Sequence, residues 1–119
     1  MGTRHPLPEP PPGRLDEAGI VAAFAQRMMY TVAKDVYTAT DFDAYLATAY
    51  SVRDRLMERW FKTQSAYYQA DAKRVYYLSL EFLMGRALLN SVVNLGARDA
   101  HVQGLRRLGY DLEALHEKE

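Results

Sequence analysis

The chain has 119 residues, 49% hydrophobic and 25% charged, the balance of one soluble globular domain or of one piece of a larger one. Its formal net charge is +0, so no electrostatic attraction toward nucleic acid or an anionic membrane is expected. Cysteine is absent, which excludes disulfides, thiolate metal sites and cysteine nucleophiles and suits the cytoplasm.

The start, MGTRHPLPEPPPGR, lacks the apolar core of a secretory leader and reads as a proline-rich, disordered tail over residues 1–15. Residues 16–119 form the folded part. Helical periodicity begins near Asp16, where Ile20, Phe24 and Met28 recur every fourth residue and Val21 widens the stripe. The pattern blurs at TVAKDVYTAT, a connection or a short strand. A longer helix follows, capped by Thr40 with Asp41 and Asp43 at its positive end. Tyr45, Ala49, Val52, Leu56 and Trp60 form its inward face, extending toward Tyr67; RDR and ER lie on the solvated face, with Glu58 and Lys62 spaced to pair.

The most informative segment is RVYYLSLEFLMGR, Arg74 to Arg86. Alternation puts Val75, Tyr77, Ser79 and Glu81 on one face and Tyr76, Leu78, Leu80 and Phe82 on the other. Both faces are apolar as far as Glu81, the pattern of an interior strand covered on two sides. Such a strand needs its N–H and C=O groups paired, since burying each unpaired costs about 1–3 kcal/mol. The chain offers no second convincing strand, so the partners are expected in another segment or another molecule. Gly85 is expected to turn the backbone into the next helix, with a positive φ as the reason for glycine.

Beyond it, ALLNSVVNLG reads as a short helix with Leu88, Leu89, Val92 and Val93 inward and Gly96 as its stop. Asp99 is expected to cap AHVQGLRRLG, where Val102, Leu105 and Leu108 align and Gly109 terminates. Asp111 caps a last helix, LEALHEKE, that runs to the end of the chain still helical, as if the chain were cut there.

The catalytic inventory is thin. His5, His101 and His116 fall in the tail and in helical surface patterns without metal-site spacing, and no serine sits in a nucleophile elbow. No glycine-rich phosphate cradle is present. Lys34, Lys62, Lys73 and Lys118 lack the surroundings of a Schiff-base lysine. At the strand's carboxyl end Glu81 either accepts bonds from sugar hydroxyls, holds a cation, or caps amides at the turn or pairs with Arg86; position alone favours the structural roles.

VRDRLMERW, then KRVYYLSLEFLMGRALLNSVVNLG, then LGYDLEALHEKE resemble, in order and spacing, the amino-terminal region of the glycogen (α-glucan, maltodextrin) phosphorylase family, over roughly Ile20 to Glu119. The resemblance implies a mainly α segment with one buried β-strand, part of a larger α/β two-lobed, Rossmann-like (GT-B) glycosyltransferase fold. It implies a cytoplasmic homodimer holding pyridoxal phosphate, which transfers a terminal α-1,4-glucosyl unit of a glucan to orthophosphate and releases glucose 1-phosphate. The cofactor lysine, the phosphate-binding residues and the glycine-rich loop belong to later parts of the family sequence, so no catalytic residue and no cofactor binding is expected of this chain alone.

Residue by residue, Glu81 matches the glutamate lining the glucosyl pocket, which reverses the preference from position. Leu83 matches a position beside the cofactor ring, with leucine in place of the tyrosine of the muscle type. Tyr68 matches the tyrosine that stacks on the activating nucleotide in animal enzymes. Val36 and Tyr37 stand where the nucleotide-responsive type carries arginine and asparagine, and no serine precedes Ser51 to accept a regulatory phosphate. The resemblance therefore implies an unregulated, bacterial-type enzyme in which Tyr68 is a vestige that packs. The alternative is a free-standing helical binding or regulatory module without catalysis.

Overall fold

The computed structural model describes Pro8 and residues 10–119, so most of the expected tail, His5 included, lies outside the described residues. Among the described residues five α-helices follow in chain order: α1 Glu17–Arg27, α2 Asp41–Gln69, α3 Leu88–Asn94, α4 Arg98–Arg107 and α5 Leu112–His116. α1 starts where Asp16 Oδ1 accepts a 2.9 Å bond from the Gly19 N–H, with Glu17 in the positive first turn. It continues as a π-helical stretch, Met28–Val32, and Ala33 closes it at φ 58°. The stripe Ile20, Phe24, Met28 is buried, as the periodicity requires.

α2 opens on a full capping box. Thr40 Oγ1 accepts from the Asp43 N–H at 3.2 Å, and Asp43 Oδ2 accepts from the Thr40 N–H at 2.9 Å. Its buried face is not the expected one. Ala44, Ala47, Thr48, Ser51, Val52 and Arg55 face the core, while Tyr45, Ala49 and Leu56 flank it and Trp60 and Tyr67 stand in solvent. Small side chains let neighbouring helices approach more closely than large ones, so the small stripe sets the contact and the bulky residues seal its edge. The hydroxyls on that stripe are satisfied internally, Thr48 donating to Ala44 O at 2.9 Å and Ser51 to Thr48 O at 2.8 Å.

The core has two parts. Phe24, Met28, Ala44, Ala47, Leu105, Leu112 and Leu115 join α1, α2, α4 and α5. Val52, Leu88, Val92, Leu95 and Ala97 join α2 to α3. α1 meets α4 at Gly104, where a Cβ would lie 3.1 Å from Ile20 Cγ2 and 3.3 Å from the Glu17 carbonyl. Gly96 (φ 70°) and Gly109 (φ 84°) stop α3 and α4 as expected. Asp111 caps α5, its Oδ2 accepting from the Ala114 N–H at 3.1 Å.

Several expectations are corrected. The buried β-strand is absent: Val75–Phe82 has no regular secondary structure and no ladder, and no β-strand occurs among the described residues. A strand is a property of a pair, and α2 and α3 on either side supply no edge. α4 starts at Arg98 from an uncapped Ala97, which places Asp99 inside the first turn and not at the cap. Val93 is exposed, and α5 ends at His116, followed by a turn to Glu119. Gly85 does not have a positive φ, and a Cβ there would meet nothing within 4 Å.

These contacts order the glycines by cost. Gly104→Val is expected to destabilise the chain by about 1–3 kcal/mol through overpacking against Ile20. Gly85→Ala is expected to leave stability within about 0.5 kcal/mol, as an open surface site does. Urea unfolding followed by helical circular dichroism checks both; equal effects would remove the close α1–α4 approach as the reason for Gly104.

Candidate functional site

The sequence-predicted site residues lie on or beside one feature, the irregular arm that joins α2 to α3. Its root is a turn after α2, in which Asp71 adopts φ 46° and the Ala72 N–H donates to Tyr67 O at 3.1 Å. Its far end is clamped to the last residues of the chain. Arg86 Nη1 pairs with Glu117 Oε1 at 3.0 Å, and the Glu119 carboxylate accepts from the N–H groups of Ala87 (2.7 Å) and Leu88 (3.2 Å). Glu119 thus serves the first turn of α3, which has no cap of its own. Burial pushes the Glu119 carboxyl up, but these two N–H bonds and nearby His116 together hold it below the usual value. Arg86, one expected partner of Glu81, is engaged elsewhere.

Between the anchors the arm is bare. Tyr77 is 84% exposed, Leu80 105% and Leu83 103%. Large apolar side chains facing water in one contiguous stretch mark a surface that another body covers. Within the arm the Glu81 N–H donates to Ser79 Oγ at 3.1 Å, and Ser79 Oγ donates to the Glu81 carbonyl at 3.2 Å, bending the backbone at Leu80. No other backbone hydrogen bond reaches Lys73–Arg86 among the described residues.

Glu81 is exposed and makes no ion pair among the described residues. Leu83 projects into solvent. Tyr68, in the last turn of α2, is 77% exposed and lies under the Arg74 guanidinium, whose Cζ is 4.7 Å from the ring centroid, a cation–π contact. It is therefore a surface residue steadied by one cation. The arm carries Glu81 and Leu83, and Tyr68 lies before its root on α2, without any site being enclosed. Grooves of about 160 Å³ between α2 and α3 and about 180 Å³ beside Gly13 and Arg55 contain none of them, and both are below the ~300–1,000 Å³ of ligand pockets.

The groups available among the described residues do not fit a resident cofactor or metal. All four lysines are exposed, Lys62 is paired with Glu58 at 2.8 Å, and none is desolvated as a Schiff-base lysine must be, so pyridoxal phosphate finds no anchoring amine here. Among the described residues no group of three or more His, Asp or Glu could hold a metal ion, and no helix is long and apolar enough to cross a membrane.

Two buried ionisable residues escape the sequence reading. Arg55, placed on the solvated face by its charge, is 5% exposed and donates to the carbonyls of Ser51 (2.9 Å), Arg14 (2.7 Å) and Gly19 (3.1 Å), with its Nε left unpartnered. It ties residues preceding α1 to α2, aided by Gly13 N–H donating to Glu58 Oε2 at 3.0 Å. His101, expected on the surface, is 0% exposed. Its Nδ1 lies 2.8 Å from Ala97 O, so the proton sits on Nδ1, while Nε2 is buried without a partner. Burial lowers its pKa below the ordinary 6.5, the Ala97 bond opposes this, and the Arg55 charge adds to it. The signal for both lies in spacing: Arg55 extends the small-residue stripe of α2, and His101 precedes Leu105 by one turn.

No family model matches the chain. It is similar to glycogen phosphorylase, brain form, of Bos taurus, 49% identical over 104 residues, and of Homo sapiens, 47% identical over 104 residues. Each match covers 87% of this chain and 12% of the relative. Glycogen phosphorylase, muscle form, of Ovis aries is 48% identical over 96 residues, covering 81% of this chain and 11% of the relative. The chain thus spans about an eighth of the length of the curated relatives it matches.

His101 gives the fold a pH dependence. Its folded pKa is depressed, so its contribution to stability is complete above about 6.5 and is lost as pH falls from there through the folded value. Asp16, held low chiefly by the Gly19 N–H, and Asp43, held low chiefly by the Thr40 N–H, act in the same direction but only below about 3.8. Urea midpoints are therefore expected to fall between about pH 7 and about pH 5 in the native chain and to stay level in His101→Phe. A slope unchanged by the substitution would assign it to other groups.

Proposed function

The chain belongs to the glycogen phosphorylase family, and from that premise we propose that it is the amino-terminal segment of an α-glucan phosphorylase. The whole enzyme would transfer a terminal α-1,4-glucosyl unit to orthophosphate, giving glucose 1-phosphate, as a cytoplasmic homodimer carrying pyridoxal phosphate. When bound, that cofactor supplies a phosphate group for proton transfer to and from the substrate phosphate. The observation that carries the reading is the near-half identity over 87% of the chain, combined with an apolar arm that the chain leaves uncovered.

In this reading the helices are a base and the arm is the working part. Covered by the rest of the enzyme, the arm would place Glu81 at the edge of the sugar pocket, accepting bonds from glucosyl hydroxyls. Leu83 would lie as an apolar neighbour beside the cofactor, and Tyr68 would keep the vestigial nucleotide position. Met29, Tyr30, Val36 and Tyr37, all exposed, give the end of α1 and the following connection the apolar character of a subunit contact. The departures at Val36 and Tyr37, with no serine before Ser51, favour the unregulated, bacterial type. A free helical module would need no such arm.

The 119-residue chain alone is expected to release no glucose 1-phosphate from glucan and orthophosphate, and to show no stoichiometric pyridoxal phosphate absorbance. In a continuous polypeptide with the remainder of a phosphorylase, Glu81→Ala is expected to lower kcat/KM by about 10–100-fold, the loss of charged hydrogen bonds to substrate. Stability should move by less than about 0.5 kcal/mol. Unchanged kinetics with a large fall in melting temperature would make Glu81 a structural residue.

A further inference from the structure

Inside the helical base, two basic side chains are buried with neither in an ion pair among the described residues: Arg55 of α2 and His101 of α4. Both converge on the start of α1. Arg55 Nη2 donates to Gly19 O at 3.1 Å, and Gly104, three residues on from His101 on the same face of α4, lies against Glu17 O and Ile20. Each keeps one buried nitrogen unpartnered among the described residues, Arg55 Nε and His101 Nε2. The carboxylates on the surrounding helices answer other cations. Glu17 of α1 pairs with Arg107, Asp54 and Glu58 of α2 with Arg27 and Lys62, and Glu113 of α5 with Arg98. Asp99 of α4 is exposed, and α3 has no titratable side chain. Arg55 is the one charge that acts on His101.

An arginine stays charged throughout the accessible pH range, so the variable is His101. With Nδ1–H donating to Ala97 O, an added proton goes to Nε2. There it makes an N–H donor with no acceptor and a second buried positive charge. Of the two side chains Arg55 has the way out, because it lines the groove beside Gly13 and Leu15 and has a long stem to carry its guanidinium there. Its departure removes the tie between α1 and the residues before it. Arg55 Nη2 bridges the carbonyls of Arg14 and Gly19, and the backbones approach so closely that a Cβ on Gly19 would lie 2.5 Å from Arg14 O. We propose that His101 and Arg55 form a proton-operated clamp: protonation of His101 Nε2 drives the Arg55 guanidinium into the groove and releases residues 13–15 from α1 and α2, the helices staying folded. Above about pH 6.5 His101 is neutral and the clamp is shut; it opens as the pH falls from there through the depressed value.

Trypsin reads the clamp directly, because the Arg14 carbonyl that Arg55 holds belongs to a tryptic bond, Arg14–Leu15. Its cleavage in the folded chain is measured against a free peptide of residues 10–19 in the same digest, which cancels the pH dependence of the protease. In the native chain the ratio is expected to rise about 3–10-fold between about pH 7 and about pH 5, with helical circular dichroism unchanged. In His101→Phe and in His101→Gln it is expected to keep its neutral-pH value. Arg55→Met, which lacks the donor, and Gly19→Ala, which pushes Arg14 away from α1, are expected to show the open value at both pH values. Circular dichroism at neutral pH checks that each variant is folded. A ratio level with pH in the native chain overturns the proposal. So does a rise that persists in both His101 variants, a rise accompanied by loss of helix, or a neutral-pH ratio in Gly19→Ala no higher than in the native chain.

Discussion

A polypeptide backbone outside a helix keeps its hydrogen-bonding groups unpaired until something else supplies partners. That constraint governs the stretch from Lys73 to Arg86. Its side chains are apolar enough to favour burial on both faces, yet burial would strand every peptide group that the chain cannot pair. α2 and α3 satisfy their own backbones and present no edge. The arm therefore stays in water, its one internal contact being the Ser79 bonds to Glu81. The helices pair most of their own backbone groups, and the arm does not.

The base that presents the arm is fixed at points where charge meets carbonyl. Arg55 gathers Ser51, Arg14 and Gly19, and Arg59 Nη2 donates to Leu95 O at 3.0 Å at the end of α3. An arginine can bind several carbonyls at once through its planar fork, which a shorter donor cannot. The result is that α2 holds the approach to α1 on one side and the end of α3 on the other. Both ends of the arm therefore spring from elements locked to the same helix, and the arm's reach is set by that spacing.

Much of the helical layout is readable because it rests on local rules: the Asp16, Thr40 and Asp111 caps, the stops at Gly96 and Gly109, and the Ile20–Phe24–Met28 stripe all depend on neighbours within a turn or two. The inward face of α2 is harder to read because side-chain size is a poor guide to burial there. Tyr45, Leu56 and Trp60 have the bulk of core residues, but close helix packing selects Ala44, Ala47, Thr48 and Ser51. Arg55 and His101 mislead for the same reason in reverse, since polar side chains go inside when carbonyls such as Gly19 O and Ala97 O wait for them. The strand misleads in a different sense. Val75, Tyr76, Tyr77 and Phe82 favour a sheet, and what is missing cannot be seen in them, because pairing is a long-range property.

The site residues show the same division. Nothing in the local surroundings of Glu81 gives it work to do, for it has no cation beside it, no enclosing wall and no buried bond. The role proposed for it rests on likeness to longer proteins, not on geometry within this chain. A carboxylate left free at the end of an apolar, ladderless segment is uncommon as a structural device, since a capping or pairing role would have drawn it to Arg86 or to an amide of α3. Those positions are instead taken by Glu117 and Glu119. With the turn into α3 already satisfied by other acids, Glu81 is released from local duty, and whatever covers the arm also determines what its carboxylate faces.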